Sequence, residues 1–269
     1  RMARVLGVTC VTDLGLLSID CTCMQNDGQT YTSVVNLASP GVDTQLIWRT
    51  ENLMQDIEAS DDYLTVGQIH REMDKIEKTP RRYSAAQVGF AAAFACAAFI
   101  FLLGGGPIEM FCAFVGAGIG NLTRRILGDR HINQFTSLGL SVAVACLLYF
   151  LVLAIIDVFI PGTFAHHEGG YIGAMLFVIP GFPLITSGLD IAKLDIRSSI
   201  ERLTYTLAVI FIATLVGWLV ASTMQMQPDE FASADLPWYA LAALRMAMTF
   251  AGVFGFSVMF NGTPKMCVA

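Results

Sequence analysis

From Tyr83 onward the chain is written in apolar runs, each to be set against the roughly 20 residues that cross a bilayer as a helix, and this limits the fold more than any other feature. The runs are residues 84–103, 108–122, 135–156, 171–189, 203–221 and 236–259, the second short enough to be tilted or partly re-entrant. Backbone N–H and C=O groups in lipid must be paired within the segment, so such runs predict helices and not open sheet edges. The whole chain of 269 residues is 55% hydrophobic and 14% charged, against about 25% charged in ordinary soluble domains, which is too apolar for one water-soluble core. A net charge of -6 and the lack of any Lys/Arg stripe exclude nucleic acid as a partner class.

Charge asymmetry predicts the orientation, because Lys and Arg near helix ends stay on the cytoplasmic side. Lys75, Lys78, Arg81 and Arg82 fall on one side, followed there by Arg124, Arg125 and Arg130, by Lys193, Arg197 and Arg202, and by Lys265. The alternate loops, 104–107, 157–170 and 222–235, contain no Lys or Arg. Six crossings with a cytoplasmic amino-terminal domain satisfy every loop. The predicted fold class is therefore a polytopic α-helical membrane protein of about six transmembrane helices, multi-pass in the plasma (inner) membrane, preceded by a small cytoplasmic α/β domain.

That domain is expected over residues 1–82. Leu17, Ile19, Cys21 and Cys23 alternate with polar neighbours as in a strand with one buried face. Asn26-Asp27-Gly28 offers a hairpin turn, and Tyr31, Ser33, Val35 and Leu37 share one side of a second strand ended by Pro40-Gly41. A helix follows from Asp43 as cap, and another over 66–78 behind Thr65. Residues 2–6 read as the end of an earlier helix. The seven cysteines include Cys21-x-Cys23, which lacks C-x-x-C spacing, so the cysteines are expected to be small buried hydrophobes in a reducing compartment.

The run 171–189 is broken by Pro180, Gly181 and Pro183 and ends at Asp190. Two prolines remove two backbone donors, and carbonyls freed at membrane depth are expected to line a water-filled cavity, as in transport proteins. Intramembrane charges cost about 2.5 to 3.5 kcal/mol each on insertion scales, which makes them candidates for function. Asp190 is read as a proton or substrate-coupling group, against a plain surface pair with Lys193. Arg245 lies inside the last run and calls for an acidic partner, Glu109 or Asp190, or for an anionic substrate group; a structural ion pair explains it as well. Gly116 and Gly120 present small residues four apart, a helix-packing face and not a dinucleotide loop. Gly104-Gly105-Gly106-Pro107 reads as a tight turn. His166, His167 and Glu168 are adjacent and point in different directions, so neither a metal nor another cofactor is expected. A nucleophile with its base is not visible, and an enzyme is disfavoured.

With these residues in view, the chain resembles the threonine/serine exporter family of membrane transporters, whose two-component relatives export succinate. The resemblance rests on Val178-Ile179-Pro180-Gly181-Phe182-Pro183-Leu184 followed by Asp190, Asp195, Ser199 and Arg202, with support from residues 1–8, from Phe101 to Gly105 and from Gly255 to Lys265. It implies that Arg202 belongs to the pathway, that Glu109 stands for an acid expected directly after the glycines, and that both ends of the chain continue in the family. It also implies three regions: 1–82 cytoplasmic, 83–222 the exporter domain, and 236–269 the start of a second membrane domain. The implied activity is export of threonine or serine by proton antiport, with a dicarboxylate as the alternative cargo. A second hypothesis makes the chain a scaffold or regulatory subunit that transports only with a second membrane domain or further copies.

Overall fold

The computed structural model describes residues 7–25, 27–37, 41–59, 65–226, 231 and 237–268, together with Ala3. Three strands, β1 (Thr9–Leu14), β2 (Ser18–Met24) and β3 (Thr30–Asn36), are followed by helices α1 (Thr44–Ala59), α2 (Val66–Glu77), α3 (Ala85–Leu103), α4 (Pro107–Asp129) and α5 (Gln134–Phe159). Then come the short α6 (Tyr171–Ala174), α7 (Gly181–Ala192), α8 (Ile196–Thr223), α9 (Trp238–Met259) and α10 (Pro264–Val268). The chain divides into two compact units, one of residues Arg1–Arg82 with Phe182–Thr204 and one of Tyr83–Gly181 with Tyr205–Ala269.

In the first unit the sheet is antiparallel in the order β1-β2-β3. The two predicted strands form with the expected faces, and Gly28 takes the left-handed turn backbone at φ 84° while Asp27 accepts from Gln29 N–H; Asn26, Pro40 and the predicted helix end at residues 4–6 lie outside the described residues. β1 is an addition, since Cys10-Val11-Thr12-Asp13 carries no alternation to announce it. Register sets Cys10 opposite Cys23 and Thr12 opposite Cys21, so three cysteines share one face. Their mutual hydrogen bonds, with Cys23 and then Cys21, hold the Cys10 thiol protonated, pushed up to about 12. Asp43 caps α1 by accepting from Gln45 and Leu46 N–H at 3.0 and 3.1 Å. Gln68 accepts from Thr65 N–H at 2.7 Å to start α2, and Met54, Ile57 and Ile69 pack the two helices together.

The second unit is a helical layer around α4. Ser84 and Gln87 form a capping box that starts α3, and Gly104 ends it in the left-handed region at φ 104°. Pro107 then opens α4, and Glu109 accepts from Gly106 N–H at 2.9 Å, so the predicted glycine turn is built as read. A Cβ on Gly116 would lie 2.6 Å from Ala145 O, and one on Gly120 would lie 2.7 Å from Ala145 Cβ, both on α5. Gly118, between them, faces Ala93 of α3. The small-residue stretch therefore packs on both sides, as the packing reading required. Gly255 brings α9 to α3 in the same way, with Ala91 O 2.6 Å from the position of a Cβ.

Among the described residues four helices, α3, α5, α8 and α9, are long and apolar enough to cross a membrane, or five spans if the bent pair 168–178 and Gly181–Ala192 counts as one. The expectation was six. α4 has the length, but Glu109, Asn121, Arg124 and its glycines dilute its hydropathy.

Candidate functional site

The predicted break is present. Leu176–Val178 is a 3-10 turn, Ile179 leaves it in extended conformation at ψ 121°, and α7 restarts at Gly181 with a bend of 61°. The donors missing at Pro180 and Pro183 would have served the carbonyls of Leu176 and Ile179. Those oxygens instead accept from Ile179 N–H at 3.1 Å and Gly181 N–H at 2.9 Å. Local turns thus take up part of the polarity that was expected to face a cavity. Thr186 and Ser187 hydroxyls bond back to the carbonyls of Phe182, Pro183 and Leu184, which holds the first turns of α7.

At the other end of α7 the chain reverses through Leu194, in the left-handed region at φ 62°, and Asp195 caps α8 by accepting from Ser198 N–H and Oγ–H. Arg202 Nη1 donates to Asp190 Oδ2 at 2.7 Å, and both side chains are mostly buried, 28% and 18% exposed. Ser199, also in the resemblance motif, donates to Ser187 O at 2.9 Å inside the same turn. Asp190 therefore pairs with Arg202, not with Lys193. The family-like residues converge, as a helical hairpin held by one ion pair and one buried hydroxyl.

The same α8 start also grips the sheet of its own unit. Arg197 pairs with Asp13, Ser198 donates to Leu14 O, and Leu16 N–H donates to Glu201 Oε2 at 2.7 Å. Gly15 makes room, since a Cβ there would sit 3.0 Å from Glu201 Oε2 and 2.9 Å from Ser18 Oγ. Gly15→Ala is expected to push Glu201 away and raise amide exchange at Leu16 about fivefold, the equivalent of about 1 kcal/mol for a part-exposed charged hydrogen bond. Exchange at Leu16 unchanged by the substitution would refute this contact.

Glu109 lies in the other unit and is 3% exposed. Its Oε1 is 2.6 Å from His167 Nδ1, and the fully buried Tyr149 donates its hydroxyl to His167 O at 2.6 Å. Gly170 closes the loop over them, where a Cβ would overlap the Tyr149 hydroxyl at 2.1 Å. The partnership of Glu109 with His167 and Tyr149 escaped the sequence reading, although a carboxylate in an apolar run does announce a need for a partner. Arg245, expected to face Glu109 or Asp190, is exposed on α9, and both acids are paired elsewhere. Among the described residues Arg245 has no ion pair.

These helices, with the proline-broken pair, have the length and composition of a helical multi-pass membrane protein. The chain belongs to the ThrE family, described as "Putative threonine/serine exporter", whose profile matches residues 1–225. It is 25% identical over 226 residues to the "Probable succinate transporter subunit YjjP" of Escherichia coli (strain K12), covering 83% of this chain and 84% of that protein. It is 22% identical over 224 residues to the protein of the same description in Klebsiella aerogenes, covering 83% of each. No solved structure matches the chain.

Proposed function

We propose that this chain is a secondary active exporter of a small zwitterionic amino acid of the threonine/serine type, driven by proton antiport. The observation that carries the reading is the Asp190–Arg202 pair at the foot of the broken segment. One acid and one base 2.7 Å apart complement the ammonium and carboxylate of an amino acid, whereas a dicarboxylate asks for two cations. In the cycle, the substrate carboxylate takes Arg202 from Asp190, and Asp190 then pairs with the substrate ammonium or accepts a proton once the substrate has left. Pro180, Gly181 and Pro183 keep the segment bent, so that the polar turn need not be sealed inside a continuous helix. The buried Glu109, with His167 and Tyr149, serves as the second proton-handling group, at the end that the charge asymmetry assigns to the outside. α4, packed between two apolar helices, supplies the sixth crossing, with the sheet on the cytoplasmic side. One elementary charge moved through 100 mV yields about 2.3 kcal/mol, a concentration ratio near fifty, so one proton per cycle suffices.

Uptake of radiolabelled threonine and succinate into inverted vesicles, acid inside, tests this. Threonine uptake should be stimulated by the acid lumen and should exceed succinate uptake several-fold. Preference for succinate, or indifference to the proton gradient, overturns the reading.

A second reading is favoured by Arg245. An exposed Arg inside an apolar helix is costly unless another surface covers it, and the relatives are described as a transporter subunit. On this reading α9 carries the contact with a second membrane domain or further copies of the chain, and transport requires that assembly. Vesicles holding this chain alone would then be silent, and would gain transport on co-expression with the missing component.

A further inference from the structure

Cys10, Cys21 and Cys23 present three thiols from two neighbouring strands on one face of the amino-terminal sheet, all partly buried. Cys10 Sγ is 3.1 Å from Cys21 Sγ and 3.1 Å from Cys23 Sγ, and the last two are 3.8 Å apart. A tetrahedral ion with metal–sulfur bonds of about 2.3 Å sets its sulfurs about 3.8 Å apart. Cys21 and Cys23 already stand at that separation, and a small rotation of the Cys10 side chain opens the other two distances. We propose that these three cysteines form a binding site for a soft, thiophilic d10 cation, Zn(II) or Cu(I).

The surrounding chemistry selects against harder ions. Asp13 and Asp20 oppose one another on the other face of the sheet, so among the described residues no carboxylate joins the sulfurs. Thr12 faces Cys21, while Ser33 and Tyr31 on β3 stand across from Cys21 and Cys23. A hydroxyl or a water is thus available as fourth ligand for Zn(II), and a three-sulfur set alone suits Cu(I). Each thiol gives its proton to water as it binds, with no change of oxidation state and no co-reactant. The ion would cross-link β1 to β2 close to the Asp13–Leu16 segment that holds α8. A sequence pattern built on C-x-x-C cannot find this site, because Cys10 arrives through strand register.

The test uses the full chain, purified in detergent under reductant and exposed to Zn(II), or to Cd(II) as a spectroscopic probe, then washed with a weak chelator. One metal ion per chain and a thiolate-to-cadmium charge-transfer band are expected. Cys10→Ser, Cys21→Ser and Cys23→Ser should each weaken binding at least about tenfold, while Cys96→Ser and Cys267→Ser should leave it unchanged. Bound metal should also protect the three cysteines together from alkylation in the unmodified protein, a readout that does not depend on any variant folding. The proposal fails if the triple serine variant retains the same metal, if the reduced protein holds none, or if Cys10 is found in a disulfide after purification under reductant. None of these readouts involves transport, so the transport reading stands or falls separately.

Discussion

Asp190→Asn should reduce gradient-driven transport by between tenfold and about a hundredfold, while the protein still reaches the membrane. The range follows from the loss of a charged hydrogen bond, about 1.5 to 3 kcal/mol, when the partner Arg202 is left mostly buried and uncompensated. Arg202→Gln should do the same from the other side. The exchange Asp190→Arg with Arg202→Asp should keep abundance without restoring transport, because the substrate would meet its charges in the wrong order. A plain structural pair would instead lose abundance and transport together in the single variants and recover both in the exchange. Uphill uptake at the parental rate by Asp190→Asn, measured per molecule of inserted protein, would remove Asp190 from the mechanism. Cysteines placed at positions 180 to 190 offer an independent check: labelling should reach them from at least one side of the membrane, and complete protection from both sides would mean the bent segment is sealed.

Gly116→Ala and Gly120→Ala together should lower the melting temperature in detergent by roughly 5 to 10 °C. The new Cβ at Gly116 would meet the backbone oxygen of Ala145 at 2.6 Å, and a carbonyl inside α5 cannot swing aside as a side chain end can. At Gly120 the obstruction comes from Ala145 Cβ, from Ser141 O at 3.0 Å and from the Phe177 ring at 3.0 Å. Overpacking of this kind costs about 1 to 3 kcal/mol, and each kcal/mol moves the midpoint by about 2 to 4 °C in a chain near this size. Gly128, in the same helix, has nothing within 4 Å of where its Cβ would be. Gly128→Ala should therefore be neutral or slightly stabilising through helix propensity alone. Equal melting temperatures for all of these variants would show that α4 and α5 do not approach as closely as described.

The parts of this fold that were legible in advance share a physical origin. Asp43, the Gly104 turn and the Gly116–Gly120 face are local devices whose partners lie within a turn or announce themselves by small size. The β2–β3 hairpin followed from alternation and Gly28. β1 did not, because a strand with five of its six positions exposed has no period of its own and is recruited by pairing. The break at Pro180 was visible, but the rescue of its carbonyls by Ile179 and Gly181 N–H depends on backbone angles that residue identity alone leaves open.

Sequence alone determined that this chain is a helical membrane protein with a small sheet near its amino terminus, since lipid imposes length, hydropathy and internal hydrogen bonding on every crossing segment. Which charges meet was decided only in three dimensions. Asp190 chose Arg202 over the nearer Lys193, Glu109 found His167 58 positions away, Cys10 joined Cys21 and Cys23 through register, and Arg245 was left on the surface. Those pairings depend on how helices and strands pack, and an ion pair or a thiol cluster carries no local signature before packing brings its members within bonding distance.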